Sequence, residues 1–125
     1  MSSQFGKLPV YQGAVSSDGL VVSKTSITQI TSIATGVTAN GSAGVITTFS
    51  ADTGAGAASA FTLTNSSIKA DSIVLAQVID YAGTFGTGLP VVAVDAIAAG
   101  SCSIVLMNPD AAALDNVVKI AFQVL

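Results

Sequence analysis

The sequence contains no histidine, arginine, glutamate or tryptophan, and only one cysteine, Cys102. Without histidine, neither a Ser-His-Asp nor a Cys-His site can be built within the chain, and the commonest metal ligand is missing. A single cysteine excludes an internal disulfide, so we expect stability to come from packing or association. We expect Cys102 itself to be a buried, unreactive thiol.

Charge is also scarce, since only 9% of the residues are charged and the net charge is −3. Globular domains usually carry about 25% charged residues. The absence of arginine and the negative balance argue against nucleic-acid binding and against attraction to an anionic membrane. Because a free monomer usually needs more surface charge to stay soluble, the composition predicts that partners cover much of this surface.

All seven acidic residues are aspartates, and they are scattered along the sequence. Most lie in predicted turns, where aspartate shapes the backbone. A helix-loop-helix calcium site needs a final glutamate, and the glycines at 83, 86 and 88 lack the lysine of a phosphate-binding loop. We therefore predict no enzyme activity, no cofactor, no metal site and no small-molecule substrate. An irregular calcium site made from loop carbonyls and two aspartates stays open.

The beginning of the sequence lacks the continuous apolar stretch of a secretory signal. The apolar run from Leu89 to Val94 is far shorter than the roughly 20 residues that span a bilayer. We expect a soluble protein that is made in a cytoplasm.

Short apolar segments separated by Gly, Asn, Asp and Ser indicate β-structure. Alternation is clearest in Val118, Ile120, Phe122 and Val124, and a period of two is typical of a half-buried strand. Phe61 and Leu63 alternate in the same way with Thr62 and Thr64. Two segments are apolar on both faces, which predicts central strands: Ile73 to Ile79 and Leu89 to Ile97.

Turn signals divide these segments. Asn40-Gly41 is the preferred pair for a two-residue hairpin turn, and Asn108-Pro109-Asp110 predicts the end of a strand. The stretch from Ala111 to Leu114 is expected to form one helical turn, capped by Asp110. About eight strands at short spacing predict an all-β fold, a single antiparallel β-sandwich of jelly-roll-like form over residues 26–125.

Residues 1–25 differ from the rest and predict an extended N-terminal arm. Phe5, Leu8, Val10 and Tyr11 are apolar, Lys7 is basic, and Pro9 favours extended or edge structure. Three interpretations stay open: a strand folded back on the sandwich, a disordered tail, or an arm that adds a strand to a neighbouring subunit. We favour the third.

The stretch from Ile30 to Leu125 resembles a small all-β domain of tailed-bacteriophage virion structural proteins, particularly those from phages of aquatic bacteria. The resemblance lies in these segments: Gly44-Val45-Ile46-Thr47-Thr48, Phe61-Thr62-Leu63-Thr64-Asn65-Ser66, Ser72-Ile73-Val74-Leu75, Ala99-Gly100-Ser101, Asn108, Ala112-Ala113-Leu114 and Lys119-Ile120-Ala121-Phe122.

Proteins of this kind include capsid decoration (cement) proteins and parts of head or tail fibres. The resemblance implies a homotrimer on the capsid exterior that bridges major capsid subunits. From the residues of the N-terminal segment, we predict that Phe5, Lys7, Leu8, Val10 and Tyr11 form a capsid-binding arm. The alternative is a fibre knob that binds a host receptor or glycan. For that alternative, Tyr81 and Phe85, near the glycine-rich loop, are the candidate residues for stacking on a sugar.

Overall fold

The computed structural model describes residues 24–125, which form eight β-strands. Their bounds are β1 Thr25–Thr28, β2 Val37–Thr38, β3 Ala43–Thr47, β4 Ala58–Thr64, β5 Val74–Tyr81, β6 Val91–Ala98, β7 Ser101–Met107 and β8 Val118–Val124. In this part of the chain, no helix is long and apolar enough to cross a membrane. Residues 1–23, and with them most of the predicted arm, lie outside the described residues.

The strands form two four-stranded sheets, in the orders β1-β3-β8-β5 and β2-β4-β7-β6. The predicted all-β sandwich is confirmed. Its pairing is not antiparallel throughout, because β1 runs parallel to β3 and β2 runs parallel to β4. β1 and β3 belong to one sheet, and β2 and β4 belong to the other. Between β1 and β3 the chain passes to the opposite sheet and back, so β3 runs in the same direction as β1, and the same holds for β2 and β4. Both sheets are therefore mixed, and the order differs from the antiparallel Greek keys of a jelly roll.

Alternation along the central strands builds the core. Val118, Ile120, Phe122 and Val124 are buried on β8, as their period predicted. Phe61 and Leu63 on β4 face them, together with Ile104 and Leu106 on β7. Side chains on alternate positions of a strand share one face, so each sheet contributes one apolar layer.

Two strands occupy positions that differ from the prediction. The segments Ile73–Ile79 and Leu89–Ile97 were expected to be central, yet β5 and β6 are the last strands of their sheets. Each pairs with only one neighbour among the described strands, β8 for β5 and β7 for β6. A strand that is apolar on its outer face as well is expected to have that face covered by other protein. The local sequence does not distinguish coverage by another part of the same domain from coverage by another chain.

Two local predictions were also wrong. Asn40-Gly41 does not close a hairpin, since β2 and β3 belong to different sheets and Gly41 (φ 109°) turns the chain from one sheet to the other. The stretch from Ala111 to Leu114 forms bends and no helical turn. Its backbone bonds elsewhere: the Ala112 carbonyl accepts from Asn108 Nδ2 at 2.7 Å, and Leu114 N donates to the Thr53 carbonyl at 2.9 Å.

Three buried amide side chains fix the loops: Gln29, Asn65 and Asn108. Asn108 Nδ2 donates to the carbonyls of Thr53 and Gly54, and its Oδ1 accepts from the backbone N–H of Leu89 at 3.0 Å. Buried polar groups persist only where they are hydrogen-bonded. Asn108 therefore links the loop at Thr53 and Gly54 to the segment that leads into β6.

Candidate interaction surface

The exposed large apolar side chains are concentrated on one side of the sandwich, where β5 and β6 form the edges. Nine such residues are exposed among those described, and six lie on β5, on β6 or in the segments that adjoin them. We call this group the open side: Ile73, Leu75, Ile79, Phe85, Leu89 and Val91. Exposed apolar side chains that are grouped on one part of a soluble protein make that part a candidate interaction site.

Behind the open side, several inward-facing residues of the two edge strands are only partly buried. We call this row the seam: Ala76, Val78, Val92, Val94 and Ile97. β5 and β6 lie against each other across the sandwich, and no further strand among the described residues closes the gap beside them. The seam lies between the two edge strands, along the side of the sandwich.

The opposite side, formed by β1 and β2, is built differently, and we call it the closed side. Its strands are four and two residues long. The loop between them wraps over the core, where Ile33 and Val37 are buried. Gln29, only 2% exposed, donates from Nε2 to the carbonyls of Ile33 (2.9 Å) and Thr35 (2.7 Å) and accepts the Phe49 N–H at Oε1. This side is closed by the chain itself.

A shallow groove with a volume of about 500 Å³ crosses the outer face of the β1-β3-β8-β5 sheet. Leu75 and Gln77 line it from β5, and Ala121 and Gln123 from β8. At its other end lies Lys24, the residue at which the chain enters β1. The groove therefore joins the entry point of the N-terminal segment to the edge of the open side, and Lys24 is the one charged residue that lines it among residues 24–125.

Tyr81, one of the two proposed sugar-stacking residues, is not available for stacking. It is 6% exposed, its hydroxyl donates to Asp115 Oδ1 at 3.0 Å, and it accepts the Asp115 N–H at 3.2 Å. Burial raises its pKa, and the Asp115 carboxylate adds to the increase, although the Asp115 backbone N–H acts in the opposite direction. Phe85 packs edge-on against the Tyr81 ring, with 5.6 Å between ring centroids, and stays 62% exposed. Of the two candidate residues, Phe85 alone has an exposed ring.

The potentially reactive groups are dispersed. Within residues 24–125, no three His, Cys, Asp or Glu side chains come together in a group that could hold a metal ion. Cys102 is buried as predicted, and burial raises the pKa of its thiol. Asp80 and Asp95, the two acids on strands, are both exposed on the edge strands. They place the only negative charges of β5 and β6 on the open side.

The five predicted arm residues lie outside the described residues: Phe5, Lys7, Leu8, Val10 and Tyr11. The open side was not predicted as a surface, although the apolar pattern on both faces of Ile73–Ile79 was its signal in the sequence. Comparisons with protein-family models, curated proteins and solved structures found no match.

Proposed function

We propose that this protein is a structural component of a phage virion, a decoration (cement) protein that binds the outside of the capsid as a homotrimer and bridges major capsid subunits. The observation that carries this proposal is the open side, an apolar surface on a fold with very few charges. Such a surface gains free energy chiefly by being covered. Association with many identical sites on a shell provides that coverage.

The mechanism is mechanical. Each copy binds where capsid subunits meet, and the burial of apolar surface opposes separation of those subunits under the pressure of packaged DNA. A standard protein interface buries on the order of 1,600 Å² in total. Repetition around the shell makes a modest free energy per site sufficient. In this proposal the major capsid protein is the partner, and no nucleic acid, membrane, cofactor or substrate takes part.

Sedimentation with empty capsids tests the proposal. Purified protein is mixed with expanded heads of the phage that encodes it, and the full chain is compared with a variant that lacks residues 1–25. We expect saturable binding of the full chain and much weaker binding of the truncated chain. Circular dichroism of the truncated chain checks that its β-structure is retained. Absence of the full chain from the sedimented heads would refute the proposal.

A second candidate function, a fibre knob that binds a glycan or receptor, is favoured by one observation, the exposed ring of Phe85 at the tip of the loop between β5 and β6. Aromatic rings exposed on loops are typical recognition residues. The variant Phe85→Ala, compared with Leu89→Ala on the same loop, tests this candidate in binding to host cells. Selective loss with Phe85→Ala would favour the knob over decoration.

A further inference from the structure

The four edges of the two sheets differ in how they are protected against pairing with another strand. Exposed edges are usually guarded by shortness, charge, proline or a bulge. β1 has four residues with Lys24 directly before it, and β2 has two. β6 begins after Pro90 and carries Asp95 beside a bulge at Ala96, whose φ is 52°. These three edges are guarded.

The edge of β5 has none of these forms of protection between Ile73 and Val78. Its register with β8 is regular from Val74 to Val78, and the backbone of Ile73 extends it by pairing with Leu125. Between Asp71 and Asp80 the sequence has no charge and no proline. The bulge falls only after Val78. Residues 73–78 therefore present a regularly paired, uncharged and mostly apolar strand edge, which is a template for another strand.

A strand added to this edge would also cover the seam. It would extend the β1-β3-β8-β5 sheet past β6, so its inward side chains would lie over Val92, Val94 and Ile97 of the opposite sheet. Its outward side chains would lie beside Leu75 and Gln77. The occupant must therefore be extended, nearly uncharged and apolar on alternate residues.

Within this chain, residues 1–23 have that composition, with Lys7 and Asp18 as their only charged side chains. Leu8 and Val10 alternate around Pro9. Proline lacks a backbone N–H and is tolerated only on an edge strand. A strand with Pro9 on its outer side would form a new edge that accepts no further strand, so the addition would stop after one step.

Donor and acceptor lie at opposite edges of the same sheet. The N-terminal segment enters at β1, and the unguarded edge is β5, about 14 Å away across three strand spacings. In a head-to-tail arrangement of identical copies, the β1 edge of one faces the β5 edge of the next. A contact between two different surfaces is heterologous and produces a closed ring when the rotation closes.

We propose that the N-terminal arm of one copy adds a strand to residues 73–78 of β5 in the neighbouring copy. Residue 10 lies 14 residues before Lys24 and reaches up to roughly 45 Å from it when extended. That reach spans the distance to an adjacent subunit. The inference deepens the proposed function, because it names the contact that holds the oligomer together.

Cross-linking between two variants tests the contact directly. One carries Val10→Cys and the other Gln77→Cys, they are co-expressed with different tags, and a short bis-maleimide is added. The native Cys102 is buried, and each variant expressed alone serves as the control. We expect a cross-linked pair that contains both tags. A third variant that carries both substitutions in one chain shows whether the arm instead folds back on its own subunit. A cross-link that forms only within one copy of this variant, or no cross-link in the co-expressed pair, would contradict the proposal.

A charge placed on the edge provides the second test. We expect Leu75→Lys to convert the oligomer to monomers in light scattering, because Leu75 is exposed in the single subunit and its replacement leaves the core intact. The matched control is Thr62→Lys, which adds the same charge on the outer face of the other sheet. Equal oligomer masses for both variants would contradict the proposal. Capsid sedimentation is scored separately, so failure of this contact is distinguishable from failure of the decoration function.

Discussion

The two sides of the sandwich differ in how the core is covered at the edges of the sheets. The closed side ends in short strands, and its loop is pinned by the buried Gln29. The open side ends in two strands of eight residues, with apolar side chains exposed and a seam that is only partly buried. On the closed side, the chain itself covers the core. On the open side, in our account, a second chain covers it.

The largest expected difference between the sides comes from two glutamines. Gln29→Ala leaves the carbonyls of Ile33 and Thr35 and the Phe49 N–H without their buried partner, so we expect a loss of about 2–4 kcal/mol in the free energy of unfolding. Gln77→Ala, on the exposed face of β5, should change it by less than about 0.5 kcal/mol. Urea unfolding of both variants measures the difference. Equal losses would contradict the comparison.

The next effect concerns the polar anchor at the end of β5. Tyr81→Phe removes the hydroxyl that bonds both Asp115 Oδ1 and the Asp115 N–H. We expect a loss of about 1–2 kcal/mol in stability. Phe85→Leu, at the exposed ring that packs against Tyr81, is the control and should cost less. Thermal unfolding followed by circular dichroism provides the measurement.

Two residues with positive φ should give smaller, stabilising effects when replaced by glycine. Thr31 (φ 77°) lies in the loop of the closed side, and Ala96 (φ 52°) lies at the bulge of the open side. Relief of the left-handed strain exceeds the entropy cost of glycine, so we expect gains of about 0.5–1 kcal/mol. Thr31→Gly should give the larger gain because its side chain is β-branched. Lower melting temperatures for both variants would show that these conformations are unstrained.

The smallest effect is a decline of stability at alkaline pH. Burial raises the pKa of Cys102 and of Tyr81 in the folded chain above their ordinary values of 9.0 and 10.0. The unfolded chain therefore loses these protons first, and the free energy of unfolding should fall as the pH rises from 9.0. The double variant Cys102→Ala/Tyr81→Phe should flatten this slope. An unchanged slope would assign the decline to other groups.

Local sequence patterns predicted where the strands lie better than they predicted which strands pair with each other. The period of two in Val118–Val124 identified β8, because a buried face repeats every second residue. The same reasoning failed for Ile73–Ile79, since an apolar outer face only predicts coverage. The parallel pairing of β1 with β3 depends on the path of the chain between the sheets, and no local pattern encodes that path.

The buried amides show the same limit. Gln29 and Asn108 look like ordinary polar residues in the sequence, and only the folded chain brings distant carbonyls such as that of Thr53 to Asn108. For the candidate site, the low content of charged residues predicted that an interaction surface exists. Its location could be found only from the strand order, which shows which strands lie at the edges of the sheets. The burial of Cys102 was predicted correctly, because a lone cysteine with no neighbouring group in the sequence to lower its pKa is typically a buried thiol.

Hydrogen exchange of the intact protein tests the central claim, that another chain covers the open side. In an isolated subunit, alternate backbone N–H groups along the edge of residues 73–78 have no strand partner and exchange rapidly. Our account predicts that all amides of this segment exchange as slowly as those of the central strand β8. Rapid exchange of the alternate edge amides, with β8 protected, would show that the edge stays free and would contradict the account.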